Sequence, residues 1–327
     1  MWMGASFRGR PPPLWMPPEK CKSCGRVPYP RRRSMPTPVE CYRRAGRILS
    51  QALQVGAGMV KEGVLYLEVA TAVEALIREQ ATPAFPVNIS VNEVAAHYTP
   101  TLQDSLVFKR GDLVKLDAGV HVDGYIADAA LTVEVDGNTH ATLMEASREA
   151  LHRAMAMVCS GVRVSAIGKA IEEAITSYAL KPVINLNGHS LERYNLHAGL
   201  SIPNVETTSR RTLRAGEVIA IEPFVTDGQG SVVNGEHGHI YHLTRRGRGS
   251  IVQSLQRSFD GLPFASRWMA DLVGPDRVQT TLRFLLRRRM VHAYSMLVEA
   301  GGGRVAQTEH TVLVTDDGCE VLTDPQW

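Results

Sequence analysis

Two aspartates, Asp117 and Asp128, lie eleven positions apart on either side of Asp123-Gly124, in a segment of alternating apolar residues. An Asp-Gly pair between two such runs is a strong signal for a two-residue hairpin turn. With this pair in the turn, the register places Gly119 opposite Asp128, and Asp117 projects from the same face. The two carboxylates are then diagonal neighbours, with Cβ atoms within about 8 Å. Buried carboxylates this close repel each other, so the pattern indicates metal between them.

Five further polar residues occur where apolar strands would otherwise continue. Glu222 ends the strand-like run EVIAIEP, and Glu309 interrupts VAQTEHTVLV. His189 and His197 are eight residues apart, which places them on one face if the segment is extended, and His97 follows a strand-like run. Each residue alone has an ordinary explanation, such as a solvent-facing Glu or a core His. Together they supply the carboxylate and imidazole mixture that divalent ions prefer, so we predict a metal site.

Apolar periodicity predicts the elements that carry these residues. Helical spacing occurs at 45–55, 69–77, 138–158 and 165–179. Strands are expected near 85–91, 105–108, 217–222 and 308–314. Residues 250–290 have a helical pattern of their own between the last two strands, and we expect a helical insertion over 245–300. The pattern is typical of an α+β fold.

Composition excludes several classes of protein. The chain has 327 residues, 44% of them hydrophobic, which is enough for one large core or two smaller ones. We find neither an apolar run of about 18 residues for a membrane span nor a secretory signal pattern. The five cysteines have no framework spacing, so we expect a reduced, cytoplasmic protein without membrane contact.

The basic character of the chain is concentrated in its first residues. Residues 1–34 carry eight Lys or Arg and one Glu, a net charge of +7, so the remainder is −4 against +3 for the whole chain. Residues 1–38 also hold nine of the eighteen prolines, which predicts a disordered tail. Three interpretations of the tail stay open: a zinc site at Cys21 and Cys24, a nucleic-acid contact at Arg31–Arg33, and translation that starts at Met35.

Five motifs in this order resemble those of type 2 methionine aminopeptidases, in the archaeal-like form. They read FPVNISVNEVAAHYTP, VKLDAGVHVDGYIADAALTV, NLNGHSLERYNLHAG, GEVIAIEPF and AQTEHTVLV. The resemblance covers about residues 40–325. It implies a pita-bread domain over 39–327, with two pseudo-symmetric halves around a curved antiparallel sheet. It also implies a helical insertion before the last metal-binding Glu.

The resemblance also carries over functional residues one by one. It implies five metal ligands, namely Asp117, Asp128, His189, Glu222 and Glu309. It places His97 and His197 beside the substrate without binding metal. Phe85 and Leu196, with Ile240, match positions that line a methionine pocket. The basic tail is the departure from the family pattern.

The implied activity is metal-dependent removal of the N-terminal methionine from nascent polypeptides. Two divalent ions (Co, Mn, Fe, Ni or Zn) would hold and activate the attacking water. Our hypothesis is that Glu222 accepts its proton, while His97 and His197 orient the scissile carbonyl and stabilise the oxyanion. We expect a monomer.

Two rival functions stay open. An Xaa-Pro dipeptidase could share the fold, although such relatives usually carry an additional N-terminal domain for which the tail is too short. A non-enzymatic protein that binds RNA or ribosomes could also share it, although such relatives have lost metal ligands. Basic stretches at Arg245-Arg246 and Arg287–Arg289 keep a transient ribosome contact open as a secondary feature.

Overall fold

The computed structural model describes residues 36–323. The predicted tail up to position 35, with its CxxC motif, Arg31–Arg33 and Met35, therefore lies outside the described residues, as do residues 324–327. The described chain begins with helix α1 (Pro38–Met59), one residue inside the predicted tail. The Glu40 N–H donates to the Thr37 hydroxyl at 3.3 Å, and the Thr37 N–H donates to the Glu40 carboxylate at 2.6 Å. This capping box fixes where the helix begins.

Two helices and three strands form the first half of the fold. Helices α1 and α2 pack against an antiparallel sheet of strand order β1-β3-β4, and their apolar faces share one core with it. The strand β2 belongs to another sheet. The bounds are α2 (Tyr66–Gln80), β1 (Thr82–Val91), β2 (Val94–Ala96), β3 (Leu113–Val122) and β4 (Tyr125–Glu134).

The hairpin of β3 and β4 has the predicted register. Gly119 pairs with Asp128, and the turn residues Asp123 and Gly124 have φ values of 58° and 86°. Two positive φ values are what a type I′ turn requires, and an Asp-Gly pair accepts them readily. The register is confirmed, and it puts Asp117 on the same face as Asp128.

The second half repeats the pattern of two helices followed by strands. Its helices contribute to a separate core, which includes Leu151, Ile171 and Ile219. Its elements are α3 (Ala141–Ala156), α4 (Val164–Thr176), β5 (Lys181–Pro182), β6 (Asn187–Leu191), β7 (Ser201–Pro203), β8 (Val218–Ile221) and β9 (Phe224–Thr226).

A segment with its own small core follows β9. The long strand β10 pairs with β11 and β12 around short helices whose apolar faces meet, including Leu255, Leu282 and Leu285. We predicted helical structure over 245–300, but the helices end at Arg287 and residues 291–299 are a strand. The reason is a distant partner, because β12 pairs with β10 across the whole segment. The bounds are β10 (Val232–Leu243), α5 (Ser250–Phe259), β11 (Phe264–Ala265), α6 (Ala270–Val273), α7 (Val278–Arg287) and β12 (Val291–Glu299).

The last strands return to the second half and join it to the first. They are β13 (Val305–Gln307), β14 (His310–Val314) and β15 (Cys319–Val321). Strand β13 pairs with β9 in a sheet of order β13-β9-β5, whereas β14 and β15 belong to a sheet of order β15-β14-β8-β6-β7. Ala130 and Glu309 form a bridge between the two halves, with the Glu309 N–H donating to the Ala130 carbonyl at 2.9 Å. The order β1-β3-β4 thus has its counterpart in β6-β8-β14, and the predicted pita-bread fold is confirmed.

One predicted strand is wrong. Residues 105–108 form a single bridge, Leu65–Val107, because this stretch runs beside the start of α2 and not along a sheet. Within residues 36–323, none of the helices is long and apolar enough to cross a membrane.

Candidate metal centre

The first half contributes two carboxylates from its hairpin. Asn88 on β1 pairs with Asp117 on β3, and the Asn88 amide donates to Asp117 Oδ2 at 3.3 Å. Asp128 on β4 is 4% exposed. Its N–H donates to the Thr311 hydroxyl at 2.8 Å, and that hydroxyl donates to the Asp128 carbonyl at 2.7 Å. Asn88 of the first half therefore holds the Asp117 carboxylate, and Thr311 of the second half holds the backbone of Asp128.

The second half contributes one imidazole and two carboxylates. His189 lies on β6, Glu222 directly follows β8, and Glu309 directly precedes β14. His189 Nε2 is 3.6 Å from Asp128 Oδ2 and 3.7 Å from Glu222 Oε1. One ligand atom each from Asp128, His189 and Glu309 lie within 4.8 Å of one another. The structure thus brings both predicted ligand groups to the line where the halves meet.

The distances between these groups suit a shared ion better than direct bonds. A separation of 3.6 Å is too long for a hydrogen bond. Two ligands that bind one ion at about 2.0–2.2 Å each are separated by about 3–4 Å. Among the described residues, buried Asp117 Oδ1, Asp128 Oδ1 and Glu309 Oε1 have no hydrogen-bond partner. Buried oxygens of this kind are costly unless a cation binds them, so these residues fit a divalent metal.

Burial and mutual repulsion make the ionised carboxylates unfavourable without a cation. Burial raises the pKa of Asp117 to about 7. Burial, followed by the charges of neighbouring carboxylates, raises the pKa values of Asp128, Glu222 and Glu309 well above their usual range. Burial lowers the pKa of His189 to about 3, so its ring is neutral and has a lone pair for a metal. A bound cation would reverse the shifts of the carboxylates.

The sequence analysis did not single out two residues of the site, Gln307 and Asn88. The Gln307 amide donates to Glu309 Oε2 at 3.3 Å and to Glu222 Oε2 at 3.5 Å. Asn88 likewise holds Asp117. Gln307 lies two residues from Glu309 on an extended segment, so alternation could have placed both on one face. Asn88 could not have been found this way, because it meets Asp117 only through the pairing of β1 with β3, and 21 residues of chain separate these two strands.

All nine predicted site residues line one cavity of about 180 Å³. They are Phe85, His97, Asp117, Asp128, His189, Leu196, His197, Glu222 and Glu309, and Ile240 lines it as well. Asn88, Phe224, Pro263, Tyr294 and Leu297 also contribute to its wall. The candidate metal ligands and the apolar residues therefore face one shared cavity.

The two non-ligand histidines reach the cavity by different routes. The spacing of His189 and His197 predicted a shared face only for an extended segment. The segment between them is not extended, because the chain reverses at a bridge between Glu192 and Asn195. The two rings still approach to 4.4 Å between centroids. His97 follows β2 and its ring lies 5.4 Å from that of Tyr294. Burial lowers the pKa of His97 to about 4. Burial also lowers the pKa of His197 below its usual value.

The apolar side of the cavity depends on a glycine of the hairpin. Phe85 pairs with Gly119 across β1 and β3, and a Cβ at Gly119 would lie 2.3 Å from Phe85 Cε1. No side chain larger than hydrogen fits there unless the aromatic ring moves. The same strand β3 therefore carries Asp117 and makes room for Phe85, which is 6% exposed.

Comparison with known proteins identifies this arrangement of fold and site. The model of metallopeptidase family M24 matches residues 40–316. The chain belongs to this family. Family M24 is a family of metallopeptidases, and within residues 36–323 the cluster of carboxylates and imidazole described above fits a divalent ion.

Relatives within the family are similar over nearly their whole length. A methionine aminopeptidase of Methanothermobacter thermautotrophicus is 43% identical over 296 residues, which cover 88% of this chain and 99% of that protein. One of Archaeoglobus fulgidus is 46% identical over 288 residues, or 85% and 96% of the two chains. The crystal structure of a Thermotoga maritima methionine aminopeptidase is similar with a TM-score of 0.66 and 26% identity, covering 90% and 99%. The family resemblance read from the motifs is confirmed.

Proposed function

We propose that this M24 enzyme removes the N-terminal methionine from polypeptides by metal-dependent hydrolysis. The observation that carries the proposal is the cavity itself. Four carboxylates, two of them fully and two largely buried, line one part of it with one imidazole, and Phe85, Leu196 and Ile240 line another. A short cavity of this kind accommodates one unbranched apolar side chain next to a metal site.

The five residues Asp117, Asp128, His189, Glu222 and Glu309 would hold two divalent ions. Such ions supply a water of lowered pKa and polarise the scissile carbonyl. Four carboxylates would balance the charge of a divalent pair. Support for this ligand set comes from the unpartnered oxygens of Asp117, Asp128 and Glu309. Carboxylate and imidazole suit Co, Mn, Fe, Ni and Zn alike, so the ligands do not select one metal.

Proton transfer is assigned to Glu222. It accepts a proton from the attacking water and passes it to the departing amine, which would otherwise leave as an unstable anion. Gln307 supports this role because its amide, 3.5 Å from Glu222 Oε2, holds one carboxylate oxygen in place. The other oxygen faces His189 at 3.7 Å.

The histidines at the cavity are assigned to the substrate. His97 and His197 donate to the scissile carbonyl, orient it, and stabilise the negative charge that develops on its oxygen. Neutral rings suit this role, since burial keeps the pKa of both below the usual value. Phe85 and Leu196 hold the methionine side chain. For His97→Ala we expect intact metal content with slow turnover.

We infer that the enzyme works as a monomer in the cytoplasm on nascent chains. A transient ribosome contact would use the exposed basic side chains of Arg245, Arg246 and Arg287–Arg289, which lie in the segment predicted as an insertion over 245–300. Electrostatic docking of this kind weakens as salt concentration rises. Cosedimentation with ribosomes that is insensitive to salt would contradict it.

The decisive assay uses chelator-stripped protein and two peptides. A Met-Ala-Ser peptide should release free methionine once a divalent metal is returned, with each metal tested in turn. A matched Ala-Pro peptide should stay intact, and its cleavage would favour the Xaa-Pro dipeptidase. If both peptides stay intact with every metal, the non-enzymatic binding protein becomes the better explanation.

A further inference from the structure

A buried ion pair joins the segment between β10 and β12 to the first half of the fold. The guanidinium of Arg267, in a short 3₁₀ turn after β11, donates to the carboxylate of Glu74 on α2. The two residues are 6% and 2% exposed. Glu74 also accepts from the Trp268 indole at 2.7 Å and from the Val87 N–H on β1 at 3.2 Å. A charge pair this deeply buried is costly to desolvate, and apolar residues would often serve stability as well.

The guanidinium of Arg267 also bonds to the loop that carries His97. Its Nη1 donates to the Thr99 hydroxyl at 2.6 Å and to the Pro100 carbonyl at 2.8 Å. The Thr99 hydroxyl in turn donates to the Val87 carbonyl at 2.6 Å. Thr99 is fully buried, so these bonds are protected from water. Arg267 therefore ties the His97 loop to β1 and α2 from one side.

The His97 backbone needs such support because its conformation is unfavourable. Its φ is 70°, in the left-handed region that a residue with a side chain rarely adopts. On the far side, its carbonyl lies so close to Gly238 on β10 that a Cβ there would be 1.6 Å away. The Thr99 N–H donates to the Gly238 carbonyl at 3.0 Å. Strained residues keep such a conformation only when their surroundings hold them.

We propose that Arg267 is a positioning residue that holds His97 in its place in the cavity. Through it, the segment between β10 and β12 becomes part of the catalytic apparatus, in addition to the cavity wall that Pro263 and Ile240 form. The inference rests on the role of His97 given under Proposed function. A purely structural anchor would affect folding, whereas a positioning residue affects turnover in a way that depends on His97.

The test combines Arg267→Met with His97→Ala in a double-mutant cycle. Methionine release from Met-Ala-Ser is measured for each single variant and for the double variant, with metal content determined in each. For Arg267→Met we expect kcat to fall about 10- to 100-fold, since a displacement of about 1 Å can cost that much. KM and metal content should change little. In the His97→Ala background the same substitution should cost less than about threefold.

Two further variants keep the test independent of folding. Arg267→Met leaves the buried Glu74 carboxylate with only the half-exposed Arg78, at 3.4 Å, as its counter-charge, and this loss can unfold the protein. Glu74→Leu combined with Arg267→Met removes both charges, so we expect a folded protein that still turns over slowly. Arg283→Met on α7 is the matched control, because that side chain is exposed and bonds only within its own helix. It should behave as wild type.

The outcomes separate this inference from the proposed function. Equal losses from Arg267→Met with and without His97 would overturn the positioning role and leave the function of His97 intact. Wild-type turnover of the folded Glu74→Leu/Arg267→Met variant would overturn it as well. Unchanged turnover of His97→Ala would overturn both the role of His97 and the inference that rests on it.

Discussion

The two halves of the fold position their candidate metal ligands in different ways. In the first half, Asp117 and Asp128 lie on one hairpin whose strands pair without interruption from the Asp-Gly turn to Leu113. In the second half, Glu222 and Glu309 sit at the ends of β8 and β14, and β9 to β13 with three helices lie between them in the chain. Local sequence therefore determines how Asp117 and Asp128 are placed relative to each other, whereas long-range packing determines how Glu222 and Glu309 are placed.

The contrast shows where the site is vulnerable. The hydrogen-bonded contact between the halves, here called the seam, includes the Ala130–Glu309 bridge and the side-chain bonds of Thr311 to Asp128 and of Thr132 to Gln307. These contacts align carboxylates that repel each other. Substitution of a candidate ligand in either half should therefore abolish metal binding. Substitutions at the seam should lower the free energy of unfolding, and those on the pocket side of the hairpin should raise KM.

The largest effect should come from Asp128→Asn, compared with Glu309→Gln from the other half. Each removes a buried anionic ligand, and we expect loss of metal and a fall in turnover of about 1,000-fold or more for both. Metal analysis and methionine release provide the measurement. Asp123→Asn, in the exposed turn, is the control and should be near wild type. Full turnover of Asp128→Asn would refute the metal site. If only one of the two variants lost metal and turnover, the two halves would not contribute equally to metal binding.

The next effect is the pH dependence of the metal-free protein. Because the pKa of Asp117 is about 7 in the folded state and those of Asp128 and Glu309 are also raised well above their usual range, the folded state keeps protons that the unfolded chain has released. Stability is then lost as pH rises. Buried histidines with lowered pKa values oppose this below about pH 6.5, where the unfolded chain takes up their protons.

The carboxylates therefore dominate above about pH 6.5. Urea titrations between pH 6.5 and 8.5 should show the free energy of unfolding of the chelated protein falling by about 1–3 kcal/mol. Saturating metal should abolish the fall, since ionised carboxylates are then the bound form. Constant stability of the chelated protein across this range would contradict carboxylate repulsion across the seam.

A change at the seam should act on stability. Thr311→Val keeps the shape but removes the partner of both the N–H and the carbonyl of Asp128. We expect a loss of about 1–3 kcal/mol in the free energy of unfolding. Thr176→Val on the exposed face of α4 should change it by about 0.5 kcal/mol or less. A Thr311→Val protein as stable as wild type would show that the two bonds of this hydroxyl do not stabilise the contact between the halves.

The smallest effect concerns the pocket side of the hairpin. Gly119→Ala would place a methyl group 2.3 Å from Phe85 Cε1 and force the ring toward the cavity. We expect KM for Met-Ala-Ser to rise severalfold, an overpacking cost of about 1 kcal/mol, with metal content unchanged. Gly58→Ala on α1 is the control, because nothing lies within 4 Å of its added Cβ. An unchanged KM would exclude Phe85 from the substrate pocket.

The sequence revealed the parts of the fold that local rules determine. The hairpin register followed from one turn and strict alternation, and most helices followed from their apolar spacing. The β12 strand was misassigned because its partner β10 is distant in the chain. The turn between His189 and His197 was missed for a similar reason, since a two-residue bridge leaves no periodic signal.

Some residues of the candidate site could likewise be predicted from the sequence, and others could not. Acidic residues inside apolar strands are conspicuous, so Glu222 and Glu309 could be singled out by their cost. Asn88 and Gln307 carry no charge, and an amide in a strand has many ordinary explanations. Arg267 was hidden among many arginines of a basic segment. Only the packed structure distinguishes it, because its burial and its partner on α2 are set by tertiary contacts.

The separate cores of the two halves have a consequence for how the protein unfolds. Each half has a large apolar core of its own, and a smaller cluster that includes Tyr42, Ile126 and Val218 joins the two, together with the backbone bridge and hydrogen bonds of the seam. Ions held by ligands from both halves would act as a crosslink between two cooperative units. Metal supply in the cell would then control how long the chain resists degradation as well as whether it is active.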